Sequence, residues 1–334
     1  MGSSVRFHEI FAAEPGAATG VSFARFMELA LYHPEVGYYV GPGPRIGRHA
    51  AGDFYTATSL GPLFGELVAA AASRLLGHRG APDFGLVEIG AEPPDTPGAA
   101  TGAFAGVPHP FADYRPIRLG QPIELPAASV VFSNELFDAQ PCHRIVRRDG
   151  GWRELGVAWR DGALVEVELA HASDEWREFA GRLPPDAPEG YRLDLPTGSV
   201  ALLRRIAALD WHGLFLAFDY GKSWRELTEA TPQGTLRAYS RHRQVTNLLA
   251  QPGEQDLTSH VCWDWLTEVL VAHGFGRPVL ESQEAFFTRH AGPELAAVMT
   301  AEAGRHSARK QALMHLLHPA HMGHKFQVLS ALRR

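Results

Sequence analysis

The sequence predicts an α/β fold, a mostly parallel, doubly wound sheet with inserted antiparallel strands and extra helices. Three observations predict it. Short apolar runs end in polar residues at "FGLVEIG" (84–90), "ASVVFSNE" (128–135) and "GLFLAFDYG" (213–221). Buried central strands with a ligand site at their carboxyl ends read this way. Segments of helical periodicity lie between and around them. Two Asp-Gly steps, Asp149-Gly150 and Asp161-Gly162, sit between strand-like flanks, a strong short-range hairpin signal.

The elements follow in chain order. "SFARFMELALYHPEVGYYV" places Phe23, Phe26, Met27, Ala30 and Leu31 at helical spacing, with Ser22 as N-cap and Pro34 as stop. "TATSLGPLFGELVAAAASRLLG" predicts a second helix packing through Leu63, Leu67, Ala70 and Leu75, capped by Thr58 or Ser59 and closed by Gly77. The stretch 91–126 is rich in Pro, Gly and Ala and weakly periodic. A crossover between parallel strands needs at least ~10–12 residues. "ADYRPIRLG" supplies a strand, but the prolines leave little room for a long helix, so a shortened crossover is expected. From His143 to Ala170 the two Asp-Gly turns predict a three-strand antiparallel meander. Helices are expected over "TGSVALLRRIAALDWHG", over "SHVCWDWLTEVLVAHGF" up to Gly274, and within 283–318, with a last strand at "HKFQVLSAL". The organisation reads as an N-terminal helical segment over 1–80 packing on a core over 81–334, with an inserted meander and helical subdomain at about 143–210.

With 334 residues, 45% of them hydrophobic, the chain can bury a substantial core. The net charge is −6 with no basic run, which argues against nucleic-acid binding and against attachment to an anionic membrane. Cys142 and Cys262 make no disulfide framework and read as buried thiols in a reducing compartment. No signal-peptide pattern and no apolar run near ~20 residues is present. A cytoplasmic enzyme or binding protein is the expected class.

The residues able to carry chemistry gather at three strand ends. They are Glu88 and Gly90, then Asn134, Glu135 and Asp138, then Asp219, Tyr220 and Gly221. Acids at such ends suit a ligand with hydroxyls, amino groups or positive charge, although each alone could be a helix cap. "AGDFYTATS" adds Gly52, Asp53 and Thr56 just before a helix. The histidines at 315, 318, 321 and 324 recur every third residue, but Pro319 breaks the helix that would align them, and no metal site is expected. No Gly-x-Ser-x-Gly elbow accompanies the histidines of "LTSHV" or "HMGHK".

Taken in order, "ALYHPEVGYYV", "GDFYTA", "LVEIGA", "SNELFDAQPCHR", "FDYG", "GTLRAYSRHR", "DLTSHV" and "HPAHMGHKFQVL" resemble the MidA-like methyltransferases, from about Phe23 to Leu329. The resemblance implies a class I, Rossmann-like methyltransferase fold, S-adenosylmethionine as methyl donor, and a protein substrate or partner, with a protein guanidinium as the first acceptor to consider. It also implies that Gly52, Asp53, Thr56, Glu88, Gly90 and Asn134 line the donor pocket, and that Glu135 and Asp138 face the transferring methyl group.

One segment departs from the family. Its glycine-rich loop has the form E-[IL]-G-x-G-x-G, whereas this chain reads Glu88-Ile89-Gly90-Ala91-Glu92-Pro93-Pro94. Side chains there keep the backbone from a ligand, and prolines remove N–H donors. The acid that holds the ribose in class I methyltransferases has Asp113 as its nearest counterpart. Two readings therefore stand. One is a methyltransferase, possible on protein arginine, with an altered donor loop. The other is a methyltransferase-fold protein with a degenerate donor site, acting as a binding or assembly factor.

Overall fold

A computed structural model describes residues 3–40, 57–77, 80–92, 102–240 and 243–334. Its main sheet contains β1 (Gly85–Ile89), β2 (Tyr114–Ile117), β3 (Ala128–Asn134), β4 (His212–Asp219), β5 (Val279–Ser282) and β6 (Gln327–Arg333). The spatial order is β5-β6-β4-β3-β1-β2. β1 pairs in parallel with β2 and β3, and β3 with β4. β6 runs antiparallel between β4 and β5. The chain thus leaves β1 for one neighbour and later returns to the other side of it. Such a switch point opens a crevice at the carboxyl ends of the strands.

Alternation along the strands sends side chains to opposite faces, and both faces are covered. Val87, Val131, Phe215 and Leu329 meet the helices Thr197–Ala207 and Trp263–Ala272 through Leu203, Ile206, Leu266 and Leu270. Leu86, Val130, Phe132, Leu216 and Phe218 meet the helix Leu63–Leu76 and the helical region 283–317. That helical region is three helices, Gln283–His290, Gly292–Ala301 and Ala308–Leu317.

The meander forms as its turns dictate. Asp149 and Gly150 have φ of 52° and 69°, and Asp161 and Gly162 have φ of 50° and 78°. These left-handed pairs match the twist of the flanking strands His143–Arg148, Gly151–Arg160 and Ala163–Glu168. The sheet is larger than the meander. Val21–Ser22 pairs with its middle strand and Arg192–Leu195 with its first, giving five strands. The N-terminal segment therefore divides. The helices Ser3–Ala12 and Phe23–Tyr32 pack on the inserted sheet through Phe7, Phe26 and Val157, while Leu63–Leu76 belongs to the main sheet.

Ser22 caps its helix by accepting from the Arg25 amide. The next helix differs from expectation at its start. It begins at Leu63 behind Pro62 with no side-chain cap, and Thr58 lies in a separate 3-10 turn. Proline is pre-set for a first turn, so the helix needs no hydroxyl there. Gly77 closes it with φ of 77°. The described part of the crossover, residues 91–92 and 102–113, holds no helix. A three-stranded sheet of Arg237–Ser240, Arg243–Val245 and Asp256–Thr258 stands beside the crevice. Cys142 and Cys262 are free and buried.

Candidate functional site

A cavity of about 1410 Å³ opens at the carboxyl ends of β1, β3 and β4. β1 contributes Ile89 and Gly90, followed by Ala91 and Glu92; β3 contributes Asn134, followed by Glu135 and Asp138; β4 is followed by Tyr220 and Gly221. The opposite wall carries Tyr32 and Tyr39 from the N-terminal region and Tyr239, Asp256 and His260 from the three-stranded sheet and its exit.

Glu135 stands at the turn after β3 with φ of 49°. A non-glycine residue there costs of order 1–3 kcal/mol, a strain that clusters at functional sites. Its amide donates to the Phe218 carbonyl at 2.9 Å, and its carboxylate accepts from Asn134 Nδ2 at 3.1 Å. Burial, then the neighbouring carboxylates of Asp138, Asp219 and Glu92, hold its proton affinity well above the ordinary range. Asp138 is buried and accepts a bond from the Tyr220 hydroxyl; burial still raises its pKa to about 6. Asn134 Oδ1 and Asp138 Oδ1 are buried without hydrogen-bond partners. Buried polar atoms are almost always satisfied, so unpaired acceptors in a cavity wall mark where a donor-rich ligand fits.

Asp219 plays another part. Fully buried, it accepts from the amides of Phe137, Asp138 and Tyr220 at 2.9, 3.3 and 2.9 Å. It shapes the turn that presents Glu135 and Asp138 rather than lining the cavity.

Glu88 is likewise turned away. Its carboxyl accepts from the Tyr114 hydroxyl at 2.5 Å and the Ala103 amide at 2.8 Å, so it fastens the crossover to β1 and β2. Burial raises its pKa to about 7. Oε2 is thus committed to the crossover, and Glu88 is not among the described residues that border the cavity. Gly90, with φ of 80°, does border the cavity. A Cβ there would lie 2.8 Å from Leu136 Cδ1. Gly52, Asp53 and Thr56 lie outside the described residues. Asp113 precedes β2 and pairs with exposed Arg115 at 2.6 Å, at the strand end remote from the cavity. The residue that follows β2 on the cavity side is Arg118.

Several cavity residues were not assigned from sequence. Tyr39 donates to Asp256 at 2.9 Å across 217 residues of chain. His260 sits edge-on to Tyr220 with ring centroids 5.6 Å apart, and its Nδ1 is buried without a partner. Burial, helped by Lys222 and Arg237, lowers its pKa to about 4 and keeps it neutral. The signal was the blocks "GYYV" and "DLTSHV", whose order was informative although their side chains had no role until the fold brought them together.

Acidic side chains and unpaired acceptors fit a sulfonium nucleoside carrying an ammonium group, and the volume exceeds that of common small-molecule pockets, roughly 300–1,000 Å³. Gly90 and Asn134 would hold it, with an electrophilic methyl group as the chemistry supplied. Known proteins give the same direction. Residues 115–278 match the family model described as "Putative S-adenosyl-L-methionine-dependent methyltransferase". The mitochondrial protein arginine methyltransferase NDUFAF7 of Mus musculus is 25% identical, over 93% of this chain and 81% of its own. Its Drosophila melanogaster homologue is 26% identical, over 76% and 67%. A Burkholderia thailandensis protein crystallised with S-adenosylhomocysteine superposes with a TM-score of 0.84 at 29% identity, over 99% of this chain and 92% of that one. With sequence, fold and cavity in agreement, the chain is similar to the MidA-like S-adenosylmethionine-dependent methyltransferases.

Proposed function

We propose that this methyltransferase acts on a guanidinium of a protein arginine. The observation that carries the reading is the unpartnered acceptor Asp138 Oδ1 beside the strained Glu135. A planar cation with several N–H donors satisfies such a set, and carboxylates fix its orientation through charge-assisted bonds. The relatives named as protein arginine methyltransferases support the same acceptor.

Displacement at a methyl group is in line, so positioning supplies much of the rate. Asp138, ionised above pH about 6, holds the acceptor. A bound cation also draws Glu135 back to its charged form, because opposite charge favours ionisation. When the methyl passes from the donor sulfur to the guanidinium nitrogen, the sulfur–methyl bond would break, the sulfur would leave as a neutral thioether, and the nitrogen would give up one proton. The high proton affinity of Glu135 makes it the receiving group. The Tyr39–Asp256 and Tyr220–Asp138 pairs wall the cavity against water.

The test has two stages. S-adenosylmethionine or S-adenosylhomocysteine at 100 times its dissociation constant should add ~2.7 kcal/mol of stability, read as a rise in melting temperature. Glu135→Gln should keep that shift and lose methylation of an arginine-containing peptide. Full turnover by Glu135→Gln removes its assigned role. A native protein that binds neither ligand would be the binding or assembly factor of the alternative reading.

A further inference from the structure

Charge divides the cavity wall. Glu135 and Asp138 follow β3, whereas Lys222 follows β4 and Lys325 precedes β6. Lys222 is half-buried and Lys325 exposed, and neither ammonium forms an ion pair or hydrogen bond among the described residues. Glu226, another acid of this wall, is engaged in a capping box, accepting from the Ser223 amide and hydroxyl at 2.9 and 2.8 Å. His260 registers the sign of the local field. Burial, then Lys222 and Arg237, disfavour its protonation, with Glu226 opposing more weakly. The guanidinium of Arg237 donates to the Leu236 carbonyl. Cations in this acid-rich chain are paired elsewhere on the surface: Arg182 with Glu268 at 2.7 Å, Arg204 with Glu178 at 2.9 Å. In Rossmann-like folds the ribose is read at the end of the second strand, here β2, where Arg118 follows. The donor thus takes the β1 and β2 side, and the β4 and β6 side is left to the acceptor. Since β3, β4 and β6 are successive neighbours in the sheet, strands ~4.8 Å apart set Lys222 and Lys325 roughly one and two strand spacings from the acids after β3. An extended peptide advances ~3.3 Å per residue, so two or three residues cover that span.

Resting on the arginine reading, we propose that the acceptor is an arginine with an acidic residue within about three positions of it in an extended segment, the acid being read by Lys222 and Lys325 while the guanidinium meets Asp138 and Glu135. A carboxylate brought to the half-buried Lys222 forms a charge-assisted pair. A basic neighbour would meet the same cations and be repelled, so the wall selects by both attraction and exclusion.

Isothermal titration of the full chain, saturated with S-adenosylhomocysteine, tests this with three end-capped peptides. Each holds a central arginine in an alanine–glycine background, and they differ only in carrying Asp, Asn or Lys two residues to either side. The Asp peptide should bind at least ~5-fold tighter than the Asn peptide, and the Lys peptide weakest of the three. The Asp advantage should shrink as salt is raised. Lys222→Glu combined with Lys325→Glu should invert the order, so that the Lys peptide binds tightest, an outcome that damage to the fold does not produce. Equal binding of the Asp and Asn peptides by the native protein overturns the proposal, and so does an order that survives the charge reversal. In either case methylation of the peptides with S-adenosylmethionine leaves the arginine reading standing. If no peptide is bound or methylated, both fall.

Discussion

Asp138 and Glu88 are buried carboxyls with opposite duties, and pH separates them. The folded pKa of Asp138 is raised to about 6 from an ordinary 3.8. The folded chain therefore holds this proton more tightly than the unfolded one. Its contribution to stability is complete below the unfolded value and is lost as pH rises through about 6. Asp138→Asn keeps an acceptor for Tyr220 and removes the titration. Relative to native protein, the variant should gain up to ~3 kcal/mol between pH 4 and pH 8 in urea unfolding. It should lose acceptor binding, which in native protein should strengthen as pH rises through about 6. Glu88 acts on the backbone instead. A Cβ at Gly102, where φ is 88°, would come within 2.5 Å of Glu88 Oε2 and closer still to the Tyr114 hydroxyl. Gly102→Ala should cost roughly 2–4 kcal/mol by combined strain and clash, measurable as a lower denaturation midpoint. The acids themselves were legible in sequence because they end apolar runs. Their division into ligand-facing and structural groups was not, since that depends on Ala103 and Tyr114, which arrive from a crossover without periodicity.

Elements join through a few buried polar anchors. Arg144 and Asp194 pair at 3.5 Å inside the inserted sheet. Asp194 Oδ2 also accepts from the amides of Thr235 and Leu236, at 2.6 and 2.8 Å, and Arg144 donates to the Gln233 carbonyl. Gly234 has no room for a side chain beside that carboxylate. This knot leads directly into the strand Arg237–Ser240 and so fixes Tyr239 in the cavity wall. Asp194→Ala leaves buried Arg144 with only the more distant Glu166 carboxylate, 3.8 Å away, and strips the Thr235 and Leu236 amides of their acceptor, which should cost ~3–5 kcal/mol. Hydrogen exchange should then rise across 233–240 before it rises in the main sheet. The central strands and the meander were readable because their cues are local, in the apolar runs and the Asp-Gly turns. Arg237–Ser240 and its partners were not, because strands of three or four residues get their identity from pairing. Thr58 shows the converse. Its sequence context reads as a cap, yet Pro62 starts the helix and frees the hydroxyl for Glu92.

Across the whole molecule, one aromatic cluster ties the sheet to the helices behind it. Phe218 packs against Phe64, Phe132, Phe286 and Phe287 with ring centroids 5.4, 5.7, 5.3 and 5.6 Å away. Phe218→Ala should destabilise the chain by ~3–5 kcal/mol. Its carbonyl also receives the Glu135 amide, so the loss should weaken donor binding as well, detectable by titration at a temperature where the variant is folded. The general α/β layering follows from strand burial alone, but the position of β6 does not.

β6 occupies an interior place between β4 and β5, pairing along seven positions from Gln327 with Asp219 to Arg333 with Gly213. Phe326 and Gln327, at its entrance, border the cavity. During translation the ribosome makes this piece after every other part of the sheet. Until it emerges, β4 presents a bare hydrogen-bonding edge and the chamber lacks a side. A nascent chain halted before residue 326 would thus be an inactive, self-associating species and a natural client for chaperones that shield open strands.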